Sequence, residues 1–168
     1  MKVLVAYASK HGSTAEIAAA IALDLRADGL AVDVQQAGDV SAVQPYDAVI
    51  LGSAVYMGHW LEAARDLAAR EAVALRQRDV WLFSTGPIGE PPKPAENAVD
   101  VSEVMDLTHA REHQLFEGKI DRTRLGFMER SLVAALRVPD GDFRDWSEIR
   151  HWAGTIRAEL SLRSVAGG

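Results

Sequence analysis

The amino-terminal segment predicts a buried strand, a short polar loop and the start of a helix. Residues 2–7 (K-V-L-V-A-Y) form a nearly continuous apolar run, which is typical of a strand covered on both faces of a parallel sheet. A helical pattern follows, with apolar residues every four positions over residues 17–25. Ser13 and Glu16 match the S-x-x-E capping box, so the sequence predicts that the helix begins beside them.

The loop at residues 8–14 (A-S-K-H-G-S-T) has the composition of a phosphate-binding turn. Free N–H groups at a helix N-terminus and the helix dipole favour an anion, and Gly12 allows close approach of the backbone. For the loop alone, an ordinary strand-to-helix turn with a serine cap remains an alternative. The loop contains neither G-x-x-x-x-G-K-[ST] nor G-x-G-x-x-G, which favours a mononucleotide over a nucleoside triphosphate or a dinucleotide.

Composition narrows the classes of function. The chain has 168 residues, no cysteine and a net charge of -6. The lack of cysteine excludes disulfides, cysteine-ligated zinc or iron–sulfur centres and cysteine-based phosphatases. The acidic balance argues against a nucleic-acid partner, and we expect no metal site. No signal peptide or membrane-spanning run is visible, so the expected location is the cytoplasm.

The remaining chain alternates strand and helix patterns. Further strands are predicted at residues 31–34, 46–52, 80–83 and 114–120. Helices are predicted at residues 60–75, 100–111 and 125–136 and from residue 145 onward. This order predicts an α/β fold with three α/β/α layers and a doubly wound, five-stranded parallel sheet of order 2-1-3-4-5. We expect one domain over residues 1–163 and a flexible tail at 164–168.

Three loops of unusual composition follow predicted strands, at residues 8–14, 53–59 and 84–94. In a doubly wound sheet the ligand lies beyond the carboxyl ends of the strands, where the strand order reverses. The sequence therefore predicts that the first loop holds a phosphate and that the other two flank a flat ring.

Motifs over nearly the whole chain carry a family resemblance. They are S-K-H-G-S-T, V-I-L-G-S-A-V-Y-M-G-H-W, S-T-G-P-I-G and F-E-G-K-I, together with an apolar helix around Phe127 and Met128 that is followed by D-W-S-E-I. This pattern resembles the flavodoxin-like proteins, and more narrowly the flavodoxin-domain branch that includes menaquinone-dependent protoporphyrinogen IX dehydrogenase. A typical flavodoxin loop reads T-x-T-G-x-T, and Ser9 and His11 replace its first two threonines.

The resemblance implies a flavodoxin-like fold and an FMN cofactor. The implied cofactor-binding residues are Ser9, Lys10, His11, Gly12, Ser13, Thr14, Ala54, Val55, Tyr56, Met57, Gly58, His59, Thr85, Gly86, Pro87, Ile88 and Gly89. Tyr56 is the stacking candidate, because an aromatic face can cover the flavin ring. Gly58 is either a simple turn residue or the site of a peptide flip toward the ring, and His59 is either a proton donor or a solvated loop residue.

Other conspicuous residues have simpler interpretations. His109, His113 and His151 are interpreted as surface residues, and Trp146 and Trp152 as packing residues of the last helix. The apolar stripe at residues 125–136 is interpreted as the buried face of a core helix, with docking to a membrane or a partner as the alternative.

Three functions are compatible with the resemblance. The first is an FMN-dependent oxidoreductase that passes electrons from a reduced organic substrate, protoporphyrinogen-like by resemblance, to a quinone or a similar acceptor. The second is a flavodoxin-type electron carrier that serves redox proteins, and the third is a non-enzymatic module with an empty site. The flavin carries the redox chemistry in the first two, so no catalytic acid or base is assigned.

Overall fold

A computed structural model describes residues 1–86, 101–135, 137 and 140–166. Its centre is a parallel sheet of five strands in the order β2-β1-β3-β5-β6, with a short β4 paired antiparallel to β3. Counting only the five parallel strands, this is the predicted order 2-1-3-4-5. The strands are β1 (Lys2–Ala8), β2 (Ala31–Gln36), β3 (Ala48–Tyr56), β4 (His59–Trp60), β5 (Asp79–Thr85) and β6 (Glu112–Phe116).

One face of the sheet is covered by α1 (Ser13–Arg26) and α6 (Trp146–Ala166). The apolar positions of α1 that recur every four residues are fully buried there, as the pattern predicts. Trp152 of α6 packs against two aromatic rings of the sheet, with ring centroids 6.2 Å from Phe83 and 5.5 Å from Phe116. The packing role predicted for Trp152 is therefore confirmed.

The opposite face is covered by a 3₁₀ turn (Ala37–Asp39), α2 (Glu62–Arg70), α3 (Ala72–Leu75) and α4 (Ser102–Thr108). The central strands β1, β3 and β5 send side chains alternately into two apolar cores, one on each face of the sheet, because successive side chains of a strand point to opposite faces. The predicted three-layer α/β/α architecture is confirmed.

The third strand is longer than predicted. β3 continues to Tyr56, so Gly52 lies inside the strand instead of ending it. The loop predicted at 53–59 is mostly strand: β3 turns at Met57 and Gly58, both with positive φ, and returns as β4. Trp60 therefore belongs to a strand and not to the following helix, which begins at Glu62.

The predicted fifth strand is divided. β6 ends at Phe116, and β7 (Lys119–Ile120) pairs with β8 (Gly141–Asp142) in a separate two-stranded ribbon. Between them lie a 3₁₀ turn (Arg122–Arg124) and α5 (Phe127–Ala135). We call residues 119–142 the ribbon segment.

The core role predicted for the stripe at 125–136 is wrong for Met128, which is 83% exposed, whereas Leu125 is half-buried. The side chains of Leu132 and Leu136, the other members of the stripe, lie outside the described residues. Phe127 of α5 is 86% exposed. Hydrophobic periodicity shows that a helix has an apolar face, but it does not show whether another element covers that face.

The chain end is helical to Ala166, which lies within the segment for which we predict a tail. Among the helices that the structure describes, none combines the length and the apolar character needed to cross a bilayer.

Candidate cofactor site

The first loop joins β1 to α1 in the geometry of an anion cradle. Gly12 precedes the helix with φ +93°, a left-handed conformation that strains any residue with a Cβ atom. The Gly12 N–H donates to the Ser9 hydroxyl at 3.0 Å, which folds the loop over itself. In the described part of the chain no side chain caps the N-terminus of α1, so its dipole and first-turn N–H groups face the loop.

The predicted capping box is wrong. The Ser13 hydroxyl accepts instead from the backbone N–H of Lys119, 3.2 Å away in the ribbon segment. The Glu16 carboxylate pairs at 2.6 Å with the buried guanidinium of Arg144. Both groups that the motif assigns to helix capping thus bind a part of the chain more than 100 residues away.

A buried hydrogen bond joins the first loop to the third. The hydroxyls of Thr14, at the start of α1, and Thr85, at the end of β5, are 2.7 Å apart and almost inaccessible to solvent. Beyond Thr85, Gly86 donates its N–H to the carbonyl of Phe116 at 2.9 Å. The predicted site residues Pro87, Ile88 and Gly89 lie outside the described residues.

The second predicted loop is the β3–β4 hairpin, which lies beside the third loop. A Cβ atom placed on Gly86 would lie 3.9 Å from the Cβ atom of Val55, and Ala54 and Val55 are half-buried. Tyr56 is also half-buried, whereas Met57 is 77% exposed and His59 is exposed. The ends of β1, β3 and β5 therefore meet at one edge of the sheet.

Glu129 of α5 joins two of these loops. The sequence patterns do not identify this residue. Its Oε1 atom accepts from the Lys10 ammonium, from Nε2 of His11 at 3.2 Å and from the Tyr56 hydroxyl at 3.0 Å. Its Oε2 atom accepts from the N–H of Gly126 at 2.8 Å, in the manner of a glutamate in the first turn of a helix. The spacing G-x-x-E marks this local contact, but nothing in the sequence indicates the long-range ones.

These contacts shift the pKa values of Glu129 and Tyr56 in opposite directions. The hydrogen bond from Lys10, with further bonds from Gly126, His11 and Tyr56, lowers the pKa of Glu129 from 4.5 to about 2. Burial, together with the hydrogen bond to Glu129, raises the pKa of the Tyr56 phenol. Tyr56 is therefore a neutral donor, and the Lys10 ammonium lies 4.9 Å from the centroid of its ring.

A second polar chain lies on the other side of β5. The indole N–H of Trp60 donates to the Ser84 hydroxyl at 2.7 Å, and that oxygen lies 2.7 Å from Nε2 of His113. Burial lowers the pKa of His113, which favours the neutral ring in its hydrogen bond with Ser84. The surface position predicted for His113 is wrong, because this ring is half-buried in β6, whereas His109 and His151 are exposed as predicted.

The family of the chain follows from a comparison with known sequences. The flavodoxin-domain family model matches residues 4–147, which include all of the parallel sheet except the first two residues of β1, and the ribbon segment. The chain belongs to the flavodoxin-domain family. Membership of this family implies a flavin cofactor and a role in electron transfer.

Similar proteins agree with this assignment. Protoporphyrinogen IX dehydrogenase [quinone] of Escherichia coli (strain K12) is 21% identical over 171 residues, which cover 93% of this flavodoxin-domain protein and 94% of the relative. A flavodoxin from the domain Archaea has a TM-score of 0.64 at 18% identity, covering 96% of this chain and 99% of that one. A flavodoxin of Streptococcus pneumoniae TIGR4 has a TM-score of 0.63 at 19% identity, covering 97% and 99%. These structures confirm the flavodoxin-like fold.

Proposed function

We propose that the edge formed by the ends of β1, β3 and β5 binds FMN. The observation that carries this proposal is the meeting of three features at one edge: the anion cradle, the hairpin with Tyr56, and the end of β5 at Thr85 and Gly86. FMN has a phosphate at one end and a flat ring at the other, and both fit groups present here. When bound, it supplies the electron-accepting and electron-donating chemistry of the site.

The residues divide between the two ends of the cofactor. The loop from Ser9 to Thr14 would hold the phosphate, with the start of α1, the Lys10 ammonium and the His11 ring beside it. The hairpin residue Tyr56 would lie against the ring, and Gly86, whose N–H is bonded to Phe116, would bring its backbone carbonyl toward the ring edge. The Thr14–Thr85 hydrogen bond ties the loop proposed for the phosphate to the end of β5.

We further propose that the chain is an oxidoreductase that takes electrons from a protoporphyrinogen-like substrate and passes them to a quinone or a similar acceptor. The support is the likeness to the E. coli dehydrogenase over nearly the full length of both chains. In each turnover the substrate loses two electrons and two protons, and one quinone gains them to become a quinol. We place this activity in the cytoplasm, where the quinone could be reached by peripheral contact with a membrane.

The first experiment records the visible absorbance of the purified protein before and after FMN is added, with mass spectrometry of any compound that heat releases. We expect the absorbance bands of bound FMN. Gly12→Val combined with Thr14→Ala should weaken FMN binding at least 100-fold, because it disfavours the left-handed turn and breaks the hydrogen bond that joins the first loop to Thr85. Gly38→Val is the matched control, since Gly38 lies in open space and outside the left-handed region.

The second candidate function is an electron carrier, which the full-length likeness to flavodoxins favours. Oxidation of protoporphyrinogen IX by the FMN-loaded protein, with a soluble naphthoquinone as acceptor, supports the enzyme. Electron exchange only with a reductase and an acceptor protein supports the carrier. A protein that neither contains nor takes up flavin refutes both and leaves the non-enzymatic module.

A further inference from the structure

The helix α5 is weakly embedded in the structure. None of its described side chains is buried, and two of its large apolar residues, Phe127 and Met128, are 86% and 83% exposed. Glu129 differs from its neighbours, because its side chain is only 17% exposed. Since no described apolar side chain of α5 is buried, polar contacts are expected to contribute to fixing its position.

The Glu129 carboxylate supplies such contacts, and all of its long-range partners belong to the candidate site. Lys10 and His11 come from the first loop and Tyr56 from the hairpin, while the bond to the Gly126 N–H holds the carboxylate against its own helix. Hydrogen bonds to a charged acceptor are stronger than neutral ones, and this carboxylate has four donors. Glu129 is therefore the point at which α5 and the two loops are tied together.

We propose that Glu129 is a positioning residue that holds α5 against the site and anchors Tyr56 by its hydroxyl, so that the tyrosine ring is oriented for the flavin. This inference rests on the proposed function for the part that concerns flavin, whereas the anchoring of α5 does not depend on it. A phenol fixed at its hydroxyl loses rotational freedom before the ligand binds, so binding costs less side-chain conformational entropy. Glu129 itself is not a catalytic residue.

The first test uses the flavin-free protein. Arg122, Arg124, Arg130 and Arg137 place trypsin sites on both sides of Glu129 and within α5. We expect Glu129→Ala to raise the rate of cleavage at these sites at least fivefold, because local opening exposes the backbone to protease. Ser131→Ala is the control, since it lies on the exposed surface of the same helix and bonds only within it. Equal cleavage rates for Glu129→Ala and the wild type would overturn the anchoring of α5.

The second test uses riboflavin, which has the flavin ring without the phosphate. We expect Glu129→Ala and Tyr56→Phe each to weaken riboflavin binding three- to tenfold and to shift the visible spectrum of the bound flavin in the same way. The double variant should be no weaker than either single one, because both changes remove the same hydrogen bond. Additive losses, or unchanged affinity and spectrum, would overturn the positioning role.

Glu129→Gln separates the hydrogen bond from the charge. Its amide oxygen can still accept from Tyr56, so the spectrum of bound riboflavin should stay close to that of the wild type. A lost negative charge favours the reduced flavin, and we expect the ratio of oxidised to reduced FMN affinity to change by up to tenfold, about 30 mV for a two-electron couple. If the spectrum of riboflavin bound to Glu129→Gln matches that of Glu129→Ala, the anchoring of Tyr56 is contradicted.

If the wild type binds neither FMN nor riboflavin, the proposed function fails, and the trypsin experiment still decides whether Glu129 anchors α5.

Discussion

Substitution of Gly52 by alanine tests the packing that supports the site. Gly52 lies in β3 directly beside Phe83 of β5, and the Phe83 ring occupies the space that a side chain at Gly52 would need. An alanine Cβ would lie 2.0, 2.2 and 2.4 Å from three atoms of that ring, whereas carbon atoms in contact are about 3.5–4.0 Å apart. The ring would have to move by about 1.5 Å to restore that separation.

The Phe83 ring has little room to move. It is fully buried and packs against Phe116 at 6.1 Å and Trp152 at 6.2 Å between ring centroids. Overpacking of a core costs about 1–3 kcal/mol and occasionally more, and the disturbance of two aromatic pairs adds roughly 1 kcal/mol. The lower backbone entropy of unfolded alanine offsets about 0.5–1 kcal/mol. We therefore expect Gly52→Ala to lower the free energy of unfolding by about 3 kcal/mol and Tm by roughly 6–12 °C.

The assay is urea denaturation followed by circular dichroism. Four proteins are compared: the wild type, Gly52→Ala, Phe83→Leu and the double variant. Leucine removes the far edge of the ring that meets the new Cβ, so Gly52→Ala should cost at least about 1 kcal/mol less in the Phe83→Leu protein than in the wild type. A loss below about 1 kcal/mol for Gly52→Ala, or strictly additive effects of the two changes, would refute the close packing of this pair.

Three further changes test other contacts of the site. The pKa of Glu129 is lowered in the folded protein, so the stability that this carboxylate contributes is present above about pH 4.5 and is lost as the pH falls toward 2. Urea denaturation of the wild type at pH 5 and pH 3 should therefore show a loss of about 1–2 kcal/mol in the free energy of unfolding at the lower pH. Glu129→Gln should lack this loss. Arg144→Met should lower stability by about 1–3 kcal/mol in thermal unfolding, because the 3%-exposed guanidinium ties Glu16 to the ribbon segment; an unchanged Tm would contradict that role. Ser84→Ala should cost about 1–3 kcal/mol in urea denaturation, since it leaves the buried indole N–H of Trp60 without its acceptor, and a loss under 0.5 kcal/mol would mean that water replaces the hydroxyl.

Local sequence pattern determined the architecture. Short apolar runs alternating with helical periodicity allow few arrangements once connections are right-handed and parallel strands are buried. That reasoning predicted the order of the five parallel strands and the edge at which their loops meet, and both are confirmed. It also placed Thr14 and Thr85 in one site, although their direct hydrogen bond is a finding of the structure.

Strand ends and helix partners were less predictable. Met57 and Gly58 signal a turn, so the sequence predicts a loop over the residues of the β3–β4 hairpin. In the structure the turn is tight, and β3 continues through Tyr56. The apolar stripe at 125–136 predicts a core face, but Met128 is exposed, because a sequence pattern does not reveal whether a neighbouring element covers an apolar residue.

The long-range polar contacts were decided by the tertiary structure alone. Glu129 is 119 residues from Lys10 and 73 from Tyr56, and Ser84 is 29 residues from His113. A hydrogen bond depends on a few tenths of an ångström and on direction, so residue type and spacing cannot specify it across such separations. The sequence by itself determined at which edge of the sheet the ends of β1, β3 and β5 meet, because burial and periodicity act along the chain. Only the folded structure determined which side chains meet there, because that depends on how separate elements pack in three dimensions.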